Sequence, residues 1–247
     1  MKNLKQKGKQ NLFVIPYFFT FANAVFGLFS VIKTLDGDFI GAAYCIMLAG
    51  VMDLFDGKLA RAFGSTSCLG MELDSLCDAV SFCFAPAILL YSWYFHNLGA
   101  LGLISVSLYL CFGLLRLAKF NIASATKTQN INYFIGLPTT VAAFLVSQLV
   151  IHFTWVSQNI LPFLRNPIWL GLFVLGLAFL MISSVHFVSF KKINPKLSVV
   201  AGSLLVIVCA AGFLYGLPLL FIGIFSYILS SVVYFVGYKV YKSLSEN

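Results

Sequence analysis

The chain has 247 residues, 60% of them hydrophobic and 10% charged, with a mean hydropathy of +0.95. About 25% of the residues in an ordinary soluble domain are charged, so this composition excludes one and requires an integral membrane protein. A net charge of +8 then reads as membrane anchoring plus attraction for anionic lipid and nucleotide; no soluble basic domain exists to suggest nucleic-acid binding.

The first ten residues, M-K-N-L-K-Q-K-G-K-Q, carry four lysines and no acid. Residues 1–15 therefore read as a basic juxtamembrane segment on an anionic membrane face, and not as a cleavable signal peptide, because no small-residue cleavage site follows the apolar run. The expected spanning helices run from Pro16 to about Lys33, Phe39 to Ala62, Gly70 to Tyr94 and Gly99 to Ile122. A polar loop, S-A-T-K-T-Q-N-I-N at 124–132, precedes further blocks at about Leu137–Trp155, Pro167–Phe187, Leu197–Leu214 and Leu217–Tyr241. Each is near the ~20 residues that a bilayer requires. The expectation is an all-α polytopic protein of about eight transmembrane helices, with both termini cytoplasmic.

Charge placement checks this count independently. With eight spans, only Lys33 and Arg165 of the sixteen lysines and arginines fall on one side, and the positive-inside rule makes the other side cytoplasmic. Cys45, Cys68, Cys77, Cys83, Cys111 and Cys209 show no C-x-x-C spacing, so neither a disulfide framework nor a zinc site is indicated. His96, His152 and His186 lie far apart near predicted helix ends and are read as helix-end polar residues.

The acidic residues are not scattered. Of eight in the chain, Asp53, Asp56, Glu72, Asp74 and Asp78 fall in one 26-residue window. Asp53, Asp56, Gly57, Ala60 and Arg61 share one face of a helix, and Gly70, Asp74 and Asp78 share one face of the next. Phe63–Leu69, with Gly64, Ser65, Thr66 and Ser67, supplies turn chemistry between them. A helical hairpin with four facing carboxylates is expected, opening to the cytoplasmic side. An aspartate at a helix centre in a bilayer costs about 2.5–3.5 kcal/mol, and a divalent cation is the simplest neutraliser.

The spacing D-x-x-D-G-x-x-A-R-x8-G-x3-D-x3-D resembles the motif of the CDP-alcohol phosphatidyltransferases, membrane enzymes that move a phosphatidyl group from a CDP-linked lipid to an alcohol and release CMP. Every fixed position is met, by Asp53, Asp56, Gly57, Ala60, Arg61, Gly70, Asp74 and Asp78. The likeness extends to the branch that makes phosphatidylserine through E-L-D-S-L-C-D-A-V-S-F-C-F-A-P-A at 72–87, R-L-A-K-F-N at 116–121, F-I-G-L-P-T-T at 134–140 and S-F-K at 189–191. In the first helix Pro16, Thr20, Asn23, Gly27 and Ser30 match that branch, and Tyr17 departs from its asparagine. The resemblance marks 16–192 as a phosphatidyltransferase core and 193–247 as C-terminal helices of the same membrane domain.

The resemblance also implies roles for individual residues. Asp53, Asp56 and Asp74 are the expected ligands of Mg2+ or Mn2+, hard cations suited to all-oxygen sites, with Asp78 in or beside the shell. Asp78 is also the candidate general base for the attacking alcohol. Gly57, Ala60, Arg61 and Gly70 are the candidate contacts for the CDP-lipid; close helix packing is the second reading of Gly57 and Ala60, and the two can both hold. Glu72 is the available acceptor for a serine ammonium, and Arg116, Lys119 and Lys191 the available cations for its carboxylate or for lipid phosphate. These cations read equally as membrane anchors. The expected substrates are CDP-diacylglycerol and L-serine, in a bacterial-type inner membrane, with a homodimer implied by the family alone. The alternatives are another acceptor, such as glycerol phosphate, an inositol compound or choline, and a divalent-cation or proton-coupled transporter.

Overall fold

The computed structural model describes residues 14–63, 68–126, 133–155 and 167–188. The basic N-terminal segment, Lys191 and the two predicted helices at 197–214 and 217–241 lie outside the described residues. The helices are α1 (Val14–Leu35), α2 (Phe39–Phe63), α3 (Cys68–Asp78), α4 (Ala85–Trp93), α5 (Ala100–Ala125), α6 (Thr139–Trp155) and α7 (Pro167–Ile182). Among the described residues, four segments are long and apolar enough to cross a membrane: Tyr17–Leu35, Phe39–Gly57, Leu69–Trp93 and Ala100–Ser124. Thr139–Thr154 and Ile168–Ile182 are shorter apolar helices.

The helices are built inside out relative to a soluble bundle. On α1, Phe18, Phe21, Val25, Leu28, Phe29 and Ile32 are exposed, whereas Thr20, Asn23, Ser30 and Thr34 are buried. These polar residues and Gly27 recur at helical spacing, so the polar stripe of the helix faces the protein and its apolar surface faces lipid. The turn into α2 is tied by Asp38, which accepts from Gly41 N–H at 2.8 Å as an N-cap and from Lys33 Nζ at 2.7 Å. The hydrogen bond from Lys33 and that from Gly41 hold the Asp38 carboxyl below its usual range.

The third span is the centre of the molecule, and it is not one α-helix. Between α3 and α4, residues Ala79–Phe84 form a π-helical turn in which Ala85 N–H donates to the Val80 carbonyl, five residues back. Pro86 has no N–H to give to the carbonyl of Phe82, four residues before it. That carbonyl instead accepts from Tyr109 Oη of α5 at 3.2 Å. Phe82, Ala85 and Leu89 pack on the Ala42–Ala49 side of α2 and on α6, while Ala87 and Leu90 pack with α5, α6 and α7. The third span thus joins both cores, and its α3 end carries two of the aspartates, Asp74 and Asp78.

Two expectations are amended. The helix expected to run to Phe187 ends at Ile182, and His186–Val188 pairs antiparallel with Tyr133–Ile135 in a two-stranded ribbon, so the fold is helical with one small β element. Gly136 explains the stop. It has φ +78°, its N–H donates to the Val185 carbonyl at 2.9 Å, and a Cβ there would meet the Ser183 carbonyl oxygen at 3.2 Å. With Leu137 N–H donating to the Leu180 carbonyl, this backbone takes up one of the last carbonyls of α7.

Tyr109 is fully buried, so Tyr109→Phe leaves the Phe82 carbonyl without its donor at a cost of about 1–3 kcal/mol. A lowered thermal midpoint of the purified protein in detergent is the expected result; an unchanged midpoint would mean that the π-turn does not depend on this bond.

Candidate active site

Asp53 and Asp56 come from the last three turns of α2, and Asp74 from α3 across the hairpin. One carboxylate oxygen from each lies within 4.8 Å of the others. Asp56 is 3% exposed, while Asp53 and Asp74 are partly buried. Three carboxylates this close repel one another strongly in a medium poorer than water in dielectric. Asp74 Oδ1 is buried and has no hydrogen-bond partner among the described residues. Converging oxygens with a buried oxygen left to be satisfied suit a hard divalent cation, and the donor set fits one.

Asp78, one turn after Asp74, is not one of the three converging carboxylates. Its Oδ1 accepts from Asn23 Nδ2 of α1 at 3.0 Å. Asn23 is itself fully buried, and its main-chain carbonyl accepts from Ser81 Oγ in the π-turn at 2.9 Å. The helices come this close because of Gly27: a Cβ there would lie 2.9 Å from the Cα of Ser81. The fourth carboxylate is therefore held by a neutral amide, beside the other three.

Of the other expected residues, Lys191 lies outside the described residues, and the rest are carried by α2, α3 and α5. Gly57, next to Asp56 on α2, and Gly70, one turn before Asp74 on α3, are partly buried, and Ala60 and Arg61 continue the backbone of α2 past the aspartates. Glu72 is exposed and takes a 3.4 Å hydrogen bond from Asn121 Nδ2, whose Oδ1 accepts from Ser75 Oγ at 2.8 Å. This bridge joins α3 to α5. Arg116 is 7% exposed, with its guanidinium carbon 5.4 Å from the Phe120 ring centroid and with Nε lacking a hydrogen-bond partner among the described residues. Lys119, about one turn on, is exposed. Asn23, Ser81, Ser75 and Asn121 are site residues to which the sequence gives no role. Their signal lies in the matching runs: Asn23 in the first-helix match, Ser75 and Ser81 in the run at 72–87, and Asn121 in R-L-A-K-F-N.

The family model described as CDP-alcohol phosphatidyltransferase matches residues 13–182, a stretch that contains every element of this site. The chain belongs to the CDP-alcohol phosphatidyltransferase family. It is 34% identical over 189 residues to the CDP-diacylglycerol–serine O-phosphatidyltransferase of Helicobacter pylori, covering 75% of this chain and 76% of that protein. To the protein of the same name from Bacillus subtilis it is 35% identical over 178 residues, covering 72% of this chain and 92% of the relative. The archaetidylserine synthase of Methanothermobacter thermautotrophicus is 33% identical over 150 residues, covering 58% of this chain and 60% of the relative. Membership makes the chain a transferase and sets aside the transporter alternative. The family's general dependence on divalent cations agrees with the acidic cluster.

Asp74→Asn keeps the size of the side chain and removes charge that a hard cation needs. The expected outcome is loss of metal binding and turnover together, with the thermal midpoint unchanged or raised because one buried charge is gone. Near-normal turnover at saturating metal would remove Asp74 from the ligand set.

Proposed function

We propose that this protein transfers the phosphatidyl group of CDP-diacylglycerol to the hydroxyl of L-serine, giving phosphatidylserine and CMP. The observation that carries this reading is the pairing of a three-carboxylate cluster with a fourth, separately held carboxylate on one hairpin, in a chain whose relatives bear the names of serine-using enzymes. Asp53, Asp56 and Asp74 hold a divalent cation, Mg2+ or Mn2+. When bound, it supplies positive charge to the pyrophosphate oxygens on which negative charge builds during transfer.

The residues of the chain do the rest. Gly57 and Ala60 keep bulk off the face where the cytidine and pyrophosphate approach, with Gly70 doing the same from α3, and Arg61 offers a guanidinium fork to phosphate oxygens. Asp78 takes the proton from the serine hydroxyl as its oxygen attacks the lipid-bearing phosphorus. One P–O bond forms, the bond to the CMP oxygen breaks, and CMP leaves with the electron pair, so no covalent enzyme intermediate is needed. Glu72 accepts the serine ammonium, and Arg116, Lys119 and Lys191 supply positive charge for its carboxylate or for the lipid phosphate. The buried guanidinium of Arg116 supports that role, because an arginine taken out of water needs an anion.

The basic bias of the loops supports eight spans in a bacterial-type inner membrane, with both termini and the hairpin facing the cytoplasm. The 16–192 core and the 193–247 helices form one membrane domain, assembled as a homodimer as the family resemblance implies.

The test is acceptor choice. Purified protein in detergent, given CDP-diacylglycerol and a divalent cation, is expected to release CMP fastest with serine, ahead of glycerol 3-phosphate, inositol and choline. A phosphorylated acceptor would need a denser cation pocket, and choline an aromatic cage. Faster release with any of the other three would overturn serine as the acceptor.

A further inference from the structure

Asn23 stands out in the buried polar stripe of α1 because its side chain reaches a motif aspartate. A primary amide that is fully buried on an apolar span costs free energy unless its groups are paired. Here only part of that cost is met: Nδ2 donates to Asp78 at 3.0 Å, while Oδ1 is buried without a hydrogen-bond partner among the described residues. The orientation of the amide is dictated by chemistry, since turning it over would set Oδ1 against a carboxylate oxygen. Residues that carry such a cost usually sit at functional sites.

The surroundings of Asn23 fix it in place from two sides. Ser81, three residues after Asp78 on the π-turn, donates its hydroxyl to the Asn23 main-chain carbonyl at 2.9 Å. Gly27, one turn along α1, permits the approach, because any side chain there would meet Ser81. The amide and the carboxylate it serves are therefore mounted on two elements that touch at backbone distance. Asp78 is the one motif aspartate outside the converging cluster, and α1 holds it.

We infer that Asn23 is a positioning residue: by engaging Oδ1 of Asp78 it keeps this carboxylate out of the cation shell and leaves Oδ2 to receive the proton of the attacking hydroxyl. The inference rests on the reading of Asp78 as the general base, and it adds a residue from α1, 55 positions away in sequence, to a site otherwise built on the hairpin. Loss of the amide frees Asp78 to rotate toward the cluster, so the geometry of proton transfer suffers while the cation and the CDP-lipid keep their contacts.

The experiment is a double-mutant cycle on the purified full-length protein: wild type, Asn23→Leu, Asp78→Asn and the double variant, assayed by CMP release with CDP-diacylglycerol, serine and Mn2+ varied separately. Asn23→Leu is expected to lower kcat about 10- to 100-fold while the KM for CDP-diacylglycerol and the half-saturating Mn2+ stay within about twofold. In the Asp78→Asn background the same change should cost less than about threefold more, because its route of action is already gone. Asn23→Ser is polar but too short to reach Asp78, so it should be as impaired as Asn23→Leu; it replaces that variant in the cycle if the apolar residue prevents folding. Losses that multiply in the double variant, a weakened Mn2+ or CDP-lipid dependence with kcat intact, or wild-type turnover of Asn23→Ser would each overturn the positioning role while leaving the base assignment untouched. Near-normal activity of the Asp78→Asn single variant would instead remove the base assignment, and the role of Asn23 with it.

Discussion

Mutual repulsion among carboxylates on neighbouring apolar spans is the constraint on which the rest of the site depends. Asp53, Asp56 and Asp74 present oxygens within 4.8 Å of one another, on helices whose other faces are rich in apolar side chains. Such an arrangement in a low-dielectric setting calls for neutralisation, by shared protons or by a cation among the oxygens. On the proposed function, a cation held there would also give counter-charge to the pyrophosphate of the CDP-lipid, so one ion would meet both needs.

Holding the hairpin at that separation falls to the third span and its neighbours. The π-turn at Ala79–Phe84 comes directly after Asp78, and it survives because Tyr109 supplies the hydrogen bond that Pro86 does not. On the other side, the absence of a side chain at Gly27 lets α1 reach the same turn, where Asn23 donates to Asp78 and accepts from Ser81. The Ser75–Asn121–Glu72 bridge ties α3 to α5. Each contact crosses between helices, so the site is set by the packing of two further helices, α1 and α5, against a hairpin that supplies the charged groups.

How much of this was legible in the sequence depends on the distance over which each feature is encoded. Spacing of Asp53, Asp56, Asp74 and Asp78 at helical intervals is local, and it placed all four on the facing sides of a hairpin. Hydropathy placed the first four spans to within a few residues for the same reason. The π-turn was not legible, because it depends on Pro86 and on a tyrosine 27 residues from the carbonyl it serves. Asn23 was visible only as one position of the first-helix match, with Pro16, Thr20, Gly27 and Ser30; that it reaches Asp78 is a fact of packing. The ribbon of Tyr133–Ile135 with His186–Val188 was hidden because the run V-H-F-V continues the apolar character of α7, and only the φ of Gly136 and the carbonyls it meets end the helix there.

Division of labour among the four aspartates is the central claim, with three holding a cation and the fourth moving a proton. Titration of CMP release with Mg2+ or Mn2+ in Asp56→Asn and Asp78→Asn measures it most directly. A ligand lost from the shell weakens affinity, so raising the cation concentration should restore much of the rate of Asp56→Asn. Loss of the base removes about 10²- to 10⁴-fold in turnover that no cation concentration restores, and Asp78→Asn should stay at that level. Full recovery of Asp78→Asn at high cation would contradict the account.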